Sequence, residues 1–113
     1  MKKTIYLLIC VSILFSAFLA IGQSLKLNEE QIKLINELVE EKYLILEPTL
    51  NTAYIHPVLW NQLDIKAKQN FAASLAIYCE NVKKSNTFWV EIYDMYSGKK
   101  LAKYSENWGF KVY

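Results

Sequence analysis

The chain carries one histidine, His56, and two cysteines, Cys10 and Cys79. A thiol activated by an imidazole is the covalent nucleophile these residue types could supply, and Cys79 with His56 would be that pair in a small hydrolase. No G-x-S-x-G elbow offers a serine instead. Cys79, however, falls on the apolar stripe of a helical segment, where a thiol is usually a small buried hydrophobe with a raised pKa. His56 directly precedes Pro57, a position suited to ending a strand or capping a turn. One His and one Cys on different elements are too few for a zinc or iron–sulfur centre. Neither a metal nor another cofactor is expected.

Two further patterns resemble chemistry and dissolve on inspection. Asp94-x-x-Ser97-Gly98-Lys99-Lys100 sets a Gly-Lys pair after small residues, but phosphate loops need more glycine and a strand-to-helix transition. Both flanks of this run alternate as strands. It therefore reads as a hairpin loop in which Asp94 accepts loop amides or pairs with Lys100. The carboxylates of Asp64, Glu80, Glu91, Asp94 and Glu106 show no pairing across a cleft of the kind glycoside cleavage requires.

The aromatic residues carry more information, provided the right elements position them. Thr87–Tyr93 alternates, and Tyr96-Ser97-Gly98 supplies a hairpin loop with glycine at the left-handed position. Met95 then faces Lys99, and the register runs on through Asp94/Lys100, Tyr93/Leu101, Ile92/Ala102, Glu91/Lys103 and Val90/Tyr104. Two opposite-charge pairs follow from a register chosen from the turn alone. A second loop at Ser105-Glu106-Asn107, with Asn107 left-handed, sets Tyr104 against Trp108, Ala102 against Phe110 and Lys100 against Val112. One face of this sheet gathers Phe88, Val90, Ile92, Ala102, Tyr104, Trp108, Phe110 and Val112. The other holds Trp89, Glu91, Tyr93, Leu101, Lys103, Gly109, Lys111 and Tyr113, of which Trp89, Tyr93, Leu101, Lys103, Lys111 and Tyr113 are the candidate binding residues. The first is a core wall. The second is the candidate binding surface, with aromatic rings interleaved with lysine in the manner of an interface or a glycan platform. The edges Thr87–Tyr93 and Gly109–Tyr113 could also accept an extended peptide.

Two helices must support this sheet. Asn28 as N-cap, Gln31 at N3 and a Leu27/Ile32 staple start a helix over about 29–43, with Ile32, Ile35, Leu38, Val39 and Tyr43 inward. Residues 49–55 suggest a short strand, and Pro57 opens a helical turn carrying Val58, Leu59, Trp60 and Leu63. Asp64 caps a helix at about 65–83 whose stripe is Ile65, Phe71, Ala72, Leu75, Tyr78, Cys79 and Val82. The expected fold is α+β: a three-stranded antiparallel meander (about 87–93, 100–104 and 108–113) under the 65–83 helix. If the 29–43 helix covers the Trp89/Tyr93 face, that face is packing; if it does not, the face is free to bind.

The start of the chain sets the compartment. Met1-Lys2-Lys3 leads an apolar run from Ile5 to Ile21, ending in the small residues Ala20 and Gly22. This is the pattern of a signal peptide over residues 1–22, cut between Gly22 and Gln23. Uncleaved, that segment would be the chain's contact with a membrane. Cys10 lies mid-run without small residues before it, which argues against a lipid anchor. Residues 23–113 then form a single small α+β domain, periplasmic or secreted, with Cys79 as its lone thiol and no disulfide. The formal charge of +2 falls to zero once Lys2 and Lys3 are removed. All cations are lysine, and nucleic-acid binding is not expected. Glutamate predominates over residues 23–50 and lysine over 51–113, as solvated faces of two elements. The favoured expectation is an exported non-catalytic domain that binds a protein, a peptide or an envelope glycan. The alternatives are the Cys79/His56 hydrolase and a structural homodimer.

Overall fold

The computed structural model describes residue 27, residues 29–84 and residues 88–113. The expected leader, the expected cleavage site, the expected Asn28 cap and the start of the expected strand at Thr87 lie outside the described residues. Three helices are seen, α1 (Glu29–Glu40), α2 (Pro57–Gln62) and α3 (Ile65–Lys83). Five strands accompany them, β1 (Leu44–Glu47), β2 (Thr52–Ile55), β3 (Trp89–Asp94), β4 (Lys100–Ser105) and β5 (Gly109–Val112). The fold is α+β, and the sheet is larger than a three-stranded meander. Its order is β1-β2-β3-β4-β5. The β1/β2, β3/β4 and β4/β5 pairs are antiparallel, while β2 and β3 run parallel. The short strand expected at 49–55 is in fact a hairpin, with a 3-10 turn at Pro48–Leu50 between β1 and β2. A parallel β2/β3 pair cannot be joined by a tight turn, and α2 with α3 makes the crossover.

Local chemistry explains the helix limits. Asp64 Oδ1 accepts the Ala67 N–H at 2.8 Å and starts α3 where the sequence placed it. Pro57 stands at the first position of α2, whose N-cap is His56, with Nδ1 accepting the Val58 N–H at 3.1 Å. The first helix stops at Glu40, short of the expected 43. Lys42 adopts a left-handed φ of 66°, and Tyr43 N–H bonds Leu38 C=O while Lys42 N–H bonds Val39 C=O. This is a Schellman close, made here with lysine where glycine is commonest.

The inward stripe of α1 is rotated from the expected one. Gln31, Leu34, Ile35 and Leu38 are buried, while Ile32 and Val39 are exposed. The buried set faces a core shared with α3 and the sheet, built around Leu44, Ala53, Ile55, Leu59, Phe71, Leu75, Val90, Ile92 and Ala102. Ile65 and Val82, expected inside, are exposed at the two ends of α3. Alanines 67, 72, 73 and 76 are buried along that helix, and small side chains let it lie close to its neighbours. Within the core, Asn70 is fully buried and its side-chain amide has no protein hydrogen-bond partner.

The hairpin registers depart from expectation in two informative ways. Between β3 and β4 the pairs Val90/Tyr104, Glu91/Lys103 and Ile92/Ala102 are as expected. A bulge then sets Tyr93 against Lys100 and leaves Leu101 as the extra residue. Between β4 and β5 the pairs are Tyr104/Phe110, Lys103/Lys111 and Ala102/Val112, two residues displaced from the expected alignment. The reason is glycine. Gly109, with φ of 90°, takes the positive-φ position in place of Asn107, so the loop becomes Glu106-Asn107-Trp108. Trp108 moves from the expected core wall to an exposed loop tip. A two-residue slip conserves face, so Phe110 and Val112 keep their expected side.

Asn51 connects these parts. It is fully buried with a left-handed φ of 50°, and it makes four hydrogen bonds. Its N–H donates to Pro48 C=O at 3.1 Å, and its C=O accepts from Glu91 N–H at 2.9 Å. Its Nδ2 donates to Trp89 C=O at 2.9 Å, and its Oδ1 accepts from Lys83 Nζ. The 3-10 turn, β3 and the end of α3 thus meet on one side chain. Asn51→Ala is expected to destabilise the protein by about 3 kcal/mol, through unmade buried hydrogen bonds and a strained left-handed backbone. Asn51→Gly should cost about 2 kcal/mol, since glycine relieves the backbone part. Urea midpoints of the two variants test that order.

Candidate functional site

Helix α1 does not cover the Trp89/Tyr93 face. Its buried residues enter the same core cluster as those of α3, and Tyr78 Oη of α3 donates to Asn36 Oδ1 of α1 at 3.3 Å. The two helices therefore share the other side of the sheet; at its margin the Lys83 ammonium, at the end of α3, lies 6.0 Å from the centre of the Trp89 ring.

Strand alternation fixes the membership of the open face. Trp89, Glu91 and Tyr93 of β3 share it with Thr52 and Tyr54 of β2, Lys103 of β4 and Lys111 of β5. Tyr113 follows at the end of β5, its N–H bonded to Leu101 C=O at 2.9 Å. Of the six residues expected here, Trp89, Tyr93, Lys103, Lys111 and Tyr113 are brought together, and Leu101 is not. As the bulge residue its side chain packs against the core, and Lys100 takes the place opposite Tyr93. Tyr54 and Trp108 are additions that the sequence reading missed.

The lysines on this face sit against aromatic rings. Lys103 Nζ stands 4.4 Å from the centre of the Trp108 ring. Lys100 and Lys111 lie 5.1 Å and 4.9 Å from that of Tyr113. Such contacts contribute about 0.5–1 kcal/mol at exposed positions and limit where each ammonium can wander. Glu91 pairs with Lys100 at 2.5 Å, a diagonal partner in place of the expected Lys103. That bond holds the Lys100 ammonium protonated beyond its usual range. Across the strands, the Tyr54 and Tyr93 rings lie 5.8 Å apart. The Tyr54 phenol is pushed up first by its hydrogen bond to Glu47 and then by that carboxylate's charge.

A second cluster forms where β2 and β3 end. His56 follows β2 and lies between two phenol rings, Tyr43 at 5.3 Å and Tyr96 at 5.2 Å. Accepting the Val58 N–H at Nδ1 assigns the ring proton to Nε2. Asp94 closes the adjacent loop, with Oδ1 accepting from the N–H groups of Tyr96 at 2.8 Å and Ser97 at 3.0 Å. The loop-amide reading of Asp94 therefore holds, and the Gly98-Lys99 pair belongs to the hairpin.

Cys79 is elsewhere. Lys83, one turn further along α3, bonds Asn51 at the start of β2, whereas His56 stands beyond the end of that strand. The thiol is fully buried, and desolvation pushes its pKa up to about 11, only partly offset by the Lys83 charge. The structure does not bring Cys79 and His56 together. Among the described residues, no group of three or more His, Cys, Asp or Glu side chains could hold a metal ion. No helix among them is long and apolar enough to cross a membrane.

No protein-family model matches the chain, and no curated protein or solved structure is significantly similar to it.

Two outcomes follow from this geometry. Iodoacetamide should modify Cys79 only at the rate the protein unfolds, measured by mass spectrometry across a urea series; rapid labelling of the folded protein would contradict the burial. The carboxyl of Asp94 is held below its usual range, first by the Ser97 N–H and then by the Tyr96 N–H. A depressed folded-state pKa adds stability above the unfolded value and loses it as pH falls through the folded one. Asp94→Ala should therefore be less stable than wild type at neutral pH, with the gap closing below about pH 4 in thermal melts.

Proposed function

We propose that this is an exported, non-catalytic α+β domain that binds a partner through the open sheet face. Trp89, Tyr93, Lys103, Lys111 and Tyr113 form its centre, with Lys100, Tyr54 and Trp108 extending it. The observation that carries the reading is the placement of both long helices on the opposite side, which leaves a broad surface of aromatic rings and lysines with no described helix on it. Aromatic side chains offer large contact area with little conformational freedom to lose. The signal-like run at residues 1–22 supports export to the periplasm or beyond. An extracytoplasmic protein, a peptide or an envelope glycan is the kind of partner such a surface would meet.

The test compares wild type, expressed from its full sequence, with a Trp89→Ala/Tyr93→Ala variant on one panel of envelope glycans and peptides. Circular dichroism confirms that both are folded. Loss of bound members in the variant is the expected result, by about tenfold or more in affinity for the principal one. Identical binding profiles from two folded proteins would overturn the assignment.

A further inference from the structure

The open face carries an electrostatic imbalance at one side. Lys103 and Lys111 stand directly opposite each other on β4 and β5, an arrangement that costs stability in a sheet that binds nothing. Lys100 is answered by Glu91. Among the described residues no ion pair answers Lys103 or Lys111. Both ammonium groups are held near rings, Trp108 and Tyr113, so their positions are already restricted before any ligand arrives.

This pair borders the last strand of the sheet. Tyr113 N–H turns inward to Leu101 C=O, and antiparallel alternation then leaves the N–H and C=O of Phe110 and Val112 facing outward. The other side of β5 is apolar: Phe110 packs partly on the core and Val112 is exposed. Three recognition elements thus run along one edge: open main-chain groups, positive charge on one face and apolar surface on the other.

We propose that β5 accepts an extended acidic peptide segment as a sixth strand, a deepening that rests on the proposed binding face. Alternate Asp or Glu side chains of the segment lie over Lys111 and Lys103, and the apolar residues between them lie beside Phe110 and Val112. Main-chain bonds give affinity in this mode and alternate side chains give specificity. The charge decides between occupants. A second copy pairing through β5 would bring two Lys103/Lys111 pairs towards each other on one face, whereas an acidic strand neutralises them.

The probe is a synthetic peptide of alternating Glu and Val, titrated into the protein expressed from its full sequence. Intrinsic tryptophan fluorescence reports affinity, and hydrogen exchange reports the Phe110 and Val112 amides. Saturable binding that slows exchange at both amides and weakens with added salt is expected. So is a loss of about tenfold on Lys103→Glu/Lys111→Glu. A peptide N-methylated at every residue has no N–H to donate to β5 and should fail to bind. Unchanged exchange at Phe110 and Val112, equal affinity for the N-methylated peptide, or tighter binding of polygalacturonate would each overturn the proposal. If the peptide fails while the panel still separates wild type from Trp89→Ala/Tyr93→Ala, the broader face reading survives and only the acidic-strand inference falls.

Discussion

Asn51 satisfies four hydrogen-bonding groups in a place where water cannot, and the mixed sheet is arranged around that point. Parallel strands gain no help from a tight turn, so the register of β2 against β3 has to be set by something outside the ladder. The side-chain amide of Asn51 bonds the Trp89 carbonyl at the first residue of β3, and its backbone carbonyl takes the Glu91 N–H two residues on. Lys83 reaches the same side chain from α3. With β3 placed, alternation sends Val90 and Ile92 to the helices and Trp89, Glu91 and Tyr93 to the open side. Asn51 anchors the first residues of β3, and the burial of Val90 and Ile92 sets which way the strand faces.

The parts of the fold that were legible in the sequence are those governed by local rules. The Asp64 cap gave α3 its start, and Pro57 gave α2 its start. The loop glycine at 98 and the alternation after Thr87 gave three pairs of the β3/β4 hairpin, Val90/Tyr104, Glu91/Lys103 and Ile92/Ala102. The errors arose where two local rules competed or where a long-range contact decided. Asn107 and Gly109 could both serve a positive-φ position, and glycine, with no Cβ to clash, took it. The bulge at Leu101 had no signature beyond an apolar residue among polar ones. The β1/β2 hairpin was concealed by Pro48, which reads as a break, and by a closing residue, Asn51, whose partners lie far along the chain.

The candidate surface survived these errors because side chains alternate with a period of two. A two-residue slip between β4 and β5 left Lys111 and Tyr113 on the expected side, whereas the single-residue bulge removed Leu101 and brought in Lys100. The outcome is a face more cationic than the one first read. The glutamate-rich α1 and the lysine-rich open face lie on opposite sides of the sheet. A charge census of the whole chain averages them to near neutrality and conceals both.

The crossover also sets which contacts of the sheet are local and which are distant in sequence. Thr52 meets Glu91 across the sheet, and the whole of α2 and α3 must be traversed between them. The β3-β4-β5 meander closes over short loops, so its contacts can form early at small entropic cost. The bonds that seat the β1/β2 hairpin come from Lys83, Trp89 and Glu91, all beyond the start of the crossover. The parallel β2/β3 seam is therefore the closure that costs the chain most entropy in this sheet.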